Sequence, residues 1–160
     1  MQLNGIAHVY LTVRDFARCV PFYEKLLGFF EMQCLVKTDS LFYCVGGRTG
    51  IGIRAASPAH AHTAFEQNRS GLHHLCFRAR SRDDVDAIYA FVQQLGARIV
   101  HPPQEDGWAP GYYSVLFEDP DGLRLEANYV PGKGNLDPAI TLPLPADVQV
   151  RLSKRCTTGK

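Results

Sequence analysis

The chain has no C-x-x-C pair, no clustered run of Lys and Arg, and no apolar stretch approaching the roughly 20 residues of a membrane span. Each absence excludes a class. Five cysteines (Cys19, Cys34, Cys44, Cys76, Cys156) make an odd number without paired spacing. A zinc ribbon or a disulfide scaffold needs such pairing, so these read as reduced thiols, four of them inside apolar strand or helix patterns. Seventeen basic side chains against sixteen acidic leave a net charge of +1 with no stripe to neutralise successive phosphates, so no nucleic-acid partner is expected. The opening MQLNGIAHVY has neither the charged nor the apolar region of a secretory signal. A soluble cytoplasmic protein with no membrane partner is the expectation.

What is present is a core. Of 160 residues, 46% are hydrophobic and 21% charged, the balance of one compact globular domain. Within it the sequence repeats. HVYLTV at 8–13 lies over HLCFRA at 74–79, two period-two strands that both open on histidine. DFARCVPFYEKLLGFF follows the first, with Phe16, Val20, Tyr23 and Leu27 at helical spacing up to Gly28. The second helix runs from Ser81 to Leu95, opening with Ser81 and Asp84 in capping-box spacing and stopping at Gly96. Gly28 and Gly96 are the expected left-handed caps, 20 and 22 residues after their histidines.

Three strand-like segments follow each helix, at 29–37, 40–46 and 49–55, then at 97–101, 112–118 and 122–130. The fold class is therefore α+β, with two tandem βαβββ modules forming a cupped mixed sheet and helices on its outer face. The expected boundaries are 1–56 for the first module, 57–71 for a polar linker, 72–130 for the second module, and 131–160 for an extended Pro- and Gly-rich tail.

Alternation then assigns faces. His8, Tyr10 and Thr12 share one face of the first strand; His74, Cys76 and Arg78 share one face of its counterpart; Arg124, Glu126 and Asn128 share one face of the last strand. The opposite faces are apolar and suited to meet the helices. Two imidazoles and a carboxylate, His8, His74 and Glu126, are a ligand set for a divalent ion (Fe2+, Mn2+, Ni2+ or Zn2+) with coordination positions left open for a small-molecule substrate. The loop in HPPQEDGWAPGYYS, with the only tryptophan, Trp108, could cover the cavity, and Tyr112 has the inward phase of Ser114 and Leu116. His60 and His62 lie in the linker without a third ligand and read as solvated. His73, on the other phase, reads as an edge residue able to hydrogen-bond locally.

HVYLTVRDFARCVPFYEKLLGF, GLHHLCF and FEDPDGLRLE resemble motifs of the vicinal oxygen chelate superfamily, over about residues 3–130. That resemblance implies His8, His74 and Glu126 as metal ligands in a cupped sheet, and a homodimer. It also implies divalent-metal chemistry whose reaction varies from member to member. Cys19 departs from the small Ser, Thr or Ala usual in the glyoxalase pattern. Glyoxalase I and the epimerases have a fourth ligand, Glu or Gln, on the strand where this chain reads TGIGIRAA, leaving Gly52 or Arg54 at that place. A guanidinium cannot act as the proton-abstracting base, although Arg54 could grip a carboxylate or phosphate. The ring-cleaving dioxygenases resemble one another in a tyrosine where this chain has Leu116, and His101 lies too far upstream to supply their histidine. The expectation is a metal-dependent lyase or isomerase acting on a small oxygenated substrate, with Tyr10, Tyr112 and Arg54 as catalytic candidates. The alternatives are an Fe(II) ring-cleaving dioxygenase, a fosfomycin-type thiol transferase, and a non-catalytic drug- or metabolite-binding protein.

Overall fold

The structure is a computed structural model and describes residue 3 and residues 5–133. Beyond residue 133 the expected tail, with Cys156, lies outside the described residues. Two βαβββ modules follow one another. The first comprises β1 (His8–Val13), α1 (Phe16–Phe29), β2 (Gln33–Lys37), β3 (Leu41–Gly46) and β4 (Thr49–Ala55). The second comprises β5 (Leu75–Arg78), α2 (Arg82–Gln94), β6 (Arg98–Glu105), β7 (Tyr113–Glu118) and β8 (Arg124–Tyr129). They build two four-stranded mixed sheets, ordered β1-β4-β3-β2 and β5-β8-β7-β6, in which the first strand pairs in parallel with the last and the rest are antiparallel. No helix among the described residues is long and apolar enough to cross a membrane.

The helices begin on side-chain caps. Asp15 accepts from the Arg18 amide and Ser81 from the Asp84 amide, each satisfying a donor that the first turn leaves free. In the second case the Asp84 carboxylate reaches back to the Arg80 amide. Both helices close in the same way. Gly96 N–H donates to the Gln93 carbonyl and Ala97 N–H to that of Val92; Glu31 donates to Gly28 and Met32 to Leu27. Each is a Schellman closure.

Gly96 takes the left-handed conformation at φ 73°, as expected. Gly28 does not. It is helical, and Glu31 carries the positive φ, 58°, three residues later. The reason is packing: the longer helix lets Phe29 stack on Phe91 and Phe30 reach Phe77 in the second module. A left-handed side-chain-bearing residue costs about 1 kcal/mol relative to glycine. Glu31→Gly is therefore expected to raise stability by up to about that amount, read as a higher urea midpoint at unchanged m-value.

Two strand boundaries also differ from the sequence reading. β2 starts at Gln33 rather than residue 29 because residues 30–32 complete the helix closure. β6 runs on through Pro102 and Pro103 to Glu105, where the sequence pattern placed a loop. An edge strand can hold prolines that lack a ladder donor, and the pairing with β7 slips twice, between Ile99 and His101 and between His101 and Gln104.

One hydrophobic core spans both modules. Leu11 and Val13 of β1, Ile51 and Ile53 of β4, and Tyr23, Leu26 and Leu27 of α1 join Val85 and Val92 of α2 and Leu125 and Ala127 of β8. Polar pins hold the modules in register around the DPDG turn at 119–122. The Tyr23 hydroxyl, fully buried, donates to the buried Asp119 carboxylate at 2.8 Å. Asp119 also accepts the amides of Asp121 and Leu123, both at 2.8 Å. Asp121 accepts the amides of Arg14 and Asp15, placing a negative charge at the start of α1.

Candidate metal centre

β5 and β8 lie side by side with Cys76 opposite Glu126, which puts the last carboxylate of the repeat beside the strand that His74 introduces. His74 Nε2 and Glu126 Oε2 stand 3.1 Å apart. Each group is held from behind. His74 Nδ1 shares a hydrogen bond with His73 Nδ1 at 2.7 Å, and His73 in turn meets the Gln67 amide nitrogen at 3.2 Å. The other oxygen of the buried Glu126 accepts the Tyr112 hydroxyl at 2.5 Å. Outer partners that fix the rotation of an imidazole and a carboxylate are the usual surround of metal ligands. An imidazole nitrogen and a carboxylate oxygen pointing at one another, with their remaining atoms tied back, fit a divalent ion.

The electrostatics assign Tyr112 and Cys76 their protons. Burial, then the hydrogen bond to Glu126, holds the Tyr112 phenol well above its usual range, so it stays a donor. Desolvation of the thiol, then the Glu126 carboxylate, pushes Cys76 up to about 12.

His8 stands elsewhere. It opens β1 on the other sheet, exposed, with its ring edge-on to Tyr10 at 5.5 Å and 79° between planes. Within one chain, among the described residues, no three His, Cys, Asp or Glu side chains converge on a point. The structure thus joins His74, Glu126 and Tyr112, and leaves His8, Tyr10 and Arg54 together on a second polar face.

The registers locate the position in the first module that corresponds to Glu126. His8 pairs with Gly50, Tyr10 with Gly52 and Thr12 with Arg54; Cys76 pairs with Glu126. Since His8 corresponds to His74 and Tyr10 to Cys76, the counterpart of Glu126 is Gly52, and that of Arg54 is Asn128. Gly52 is covered. A Cβ there would run into the Tyr10 ring, and one at Gly50 into the Tyr43 hydroxyl. Tyr10 and Tyr43 stack with centroids 5.7 Å apart and planes 11° apart, so two aromatic rings occupy the space above β4 where a ligand side chain would project.

Tyr43 escaped the sequence reading, although Gly50 and Gly52 at alternate positions of a strand were a signal for a cross-strand aromatic cover. His73, an edge residue by its strand phase, makes its local hydrogen bond to His74. Trp108 is 54% exposed, while its neighbour Ala109 is buried and the loop is pinned through Asp106 to Ser114 and Gln104. His60 and His62 are exposed in the linker. That linker does more than connect: Phe65, Arg69 and Leu72 wall a hollow of about 260 Å³ against Tyr10, Thr12 and Leu123.

Comparison with known proteins agrees with this architecture. A virulence protein of Salmonella typhimurium is 28% identical over 131 residues, covering 79% of this chain and 84% of that protein. The crystal structure of a glyoxylase/bleomycin resistance protein/dioxygenase domain from Frankia sp. superposes with a TM-score of 0.64 at 30% identity, over 80% of this chain and 98% of that one. Lactoylglutathione lyase from Agrobacterium tumefaciens shares the fold, with a TM-score of 0.60 at 23% identity over 81% and 96% of the two chains. Residues 5–127 match the sequence pattern of one superfamily, and the chain belongs to it: the Glyoxalase/Bleomycin resistance protein/Dioxygenase superfamily.

Proposed function

We propose that the protein is a divalent-metal-dependent lyase or isomerase acting on a small oxygenated substrate, with His8, His74 and Glu126 as ligands and each site shared between two copies. The observation that carries this reading is the His74–Glu126 pair with both outer atoms restrained. A divalent ion in such a site supplies Lewis-acid polarisation of substrate oxygens. The chain's own groups do the rest. Glu126 serves as a ligand, Tyr112 keeps its proton and orients Glu126, and Arg54 on the other polar face offers a fork to a substrate anion.

The open strand edges support sharing. Among the described residues β1 and β5 each end their sheet with one edge unpaired, and exposed Ile6 and Leu72 flank those edges. In a shared site of this kind, His8 of the partner subunit would complete the ligand set with His74 and Glu126. Lyase or isomerase chemistry is favoured over ring cleavage because apolar Leu116 is the register partner of Glu126, and His101 sits on the edge strand, bonded to the Pro102 carbonyl.

Titration calorimetry with Mn2+ or Zn2+ tests the reading. Wild type is expected to take up one ion per chain; Tyr112→Phe to bind about 10-fold more weakly, as loss of an outer partner typically does; and His74→Ala to lose more than about 100-fold. Unchanged affinity in His74→Ala would sink the metal reading and leave ligand sequestration without chemistry. Turnover requiring Fe2+ and dioxygen would replace the lyase or isomerase with a dioxygenase.

A further inference from the structure

The first module carries rings where a fourth ligand would stand. Tyr10 leans from β1 across Gly52, and Tyr43 leans from β3 toward Gly50, so both rings sit above the bare backbone of β4. They stack on each other, and the edge of the His8 imidazole meets Tyr10. Covering glycine backbone needs no exposed ring, yet Tyr10 keeps 46% of its surface open and Tyr43 is only half-buried. The hollow walled by the linker adjoins Tyr10 and gives room beside it. Arg54, exposed on the same face, follows Gly52 by two residues, roughly 7 Å along the strand.

We infer that Tyr10, Tyr43 and Arg54 form a substrate subsite for a small planar conjugated ring bearing an acid group, in the simplest case an arene carboxylate. The ring lies against the tyrosines and the carboxylate takes the guanidinium fork. Aromatic faces prefer a flat partner in offset or edge contact, which a puckered saturated ring of the same size cannot match. A planar guanidinium matches a carboxylate through two parallel hydrogen bonds, which an alcohol cannot accept. This inference rests on the proposed function only in taking the His8 face as part of the reaction chamber.

Calorimetry of the full chain with benzoate, cyclohexanecarboxylate and benzyl alcohol, with and without Mn2+, tests it. Benzoate is expected to bind about three- to tenfold more tightly than cyclohexanecarboxylate, the range an aromatic contact supplies. Tyr10→Leu and Tyr43→Leu should each erase that preference, while Arg54→Gln, a change at an exposed side chain, should erase the preference for benzoate over benzyl alcohol. Far-UV circular dichroism of each variant checks that the fold is kept. Equal binding of the two carboxylates, no binding of either, or a ring preference that survives both tyrosine variants overturns the inference. The two readings fail separately: Mn2+ uptake without ring preference sinks only the subsite, and a tyrosine-dependent ring preference without Mn2+ uptake sinks only the metal site.

Discussion

Mixing His8→Ala chains with His74→Ala chains is expected to recover one divalent-metal site in each hybrid dimer, although neither variant holds one alone. In a hybrid, the chain keeping His74 and Glu126 faces a partner that keeps His8, so one site is whole and the other lacks both histidines. Random reassortment makes about half of the dimers hybrid, which predicts roughly one quarter of wild-type metal capacity for a two-fold symmetric assembly. Sites assembled within single chains predict none, because every chain lacks a ligand. Co-refolding the two variants and counting bound Mn2+ by equilibrium dialysis gives the answer. Recovery at the level of the unmixed variants refutes sharing while leaving the ligand assignment to the single-variant titrations.

The second large effect is on stability. Asp119→Ala should cost on the order of 3 to 5 kcal/mol, because it strips an acceptor from three donors and a buried unsatisfied donor costs about 1–3 kcal/mol. Those donors are the Tyr23 hydroxyl and the amides of Asp121 and Leu123. Asp119→Asn keeps a carbonyl for the two amides, and the Tyr23 hydroxyl can turn to accept from the new amide group, so its cost should be much smaller.

The pH dependence separates charge from hydrogen bonding. Burial raises Asp119 above the ordinary carboxylate range, outweighing the lowering by its hydrogen bonds from Tyr23 and Leu123. The folded chain therefore holds that proton more tightly than the unfolded chain. This stabilisation is full below the unfolded-state pKa and is lost as pH rises through the folded one. The stability of wild type relative to Asp119→Asn should accordingly be greatest near about pH 4 and fall toward about pH 7, read from urea midpoints at both. A gap that widens with pH would mean that the ionised carboxylate is the favoured buried form.

The sequence made strand phase legible because period-two alternation needs no tertiary knowledge. His8, Tyr10 and Thr12 are exposed along β1 while Leu11 and Val13 are buried. Strand phase also put His74 and Glu126 on polar faces of their strands, and the parallel pairing of β5 with β8 brings those faces together. Counting back from β7 gave Tyr112 its inward phase, and the structure supplies its partner, Glu126. What stayed hidden depended on pairings that no local pattern encodes. Tyr43 reads as one more apolar residue of LFYCVG until the β3–β4 register sets it over the glycines. Gly28 was the better cap by propensity, yet contacts of Phe29 and Phe30 with the second module carried the helix past it to Glu31. Asp119 belongs to the DPDG turn, and one of its three hydrogen bonds crosses the modules to Tyr23, a contact no local pattern encodes.

The ring over Gly52 bears on how this scaffold can acquire new chemistry. A carboxylate introduced at Gly52 would restore the acidic residue that the first module lacks, but its Cβ would collide with the Tyr10 ring. Shrinking Tyr10 alone would uncover glycine backbone and remove the edge contact to His8. Either substitution by itself passes through a damaged intermediate, whereas the pair relieves the collision, so the two positions are coupled and their effects should not add. The order in which changes arrive then limits which descendants of this chain can be reached, and a lineage that fixed Tyr10 early would find the four-ligand arrangement behind a valley of lower fitness.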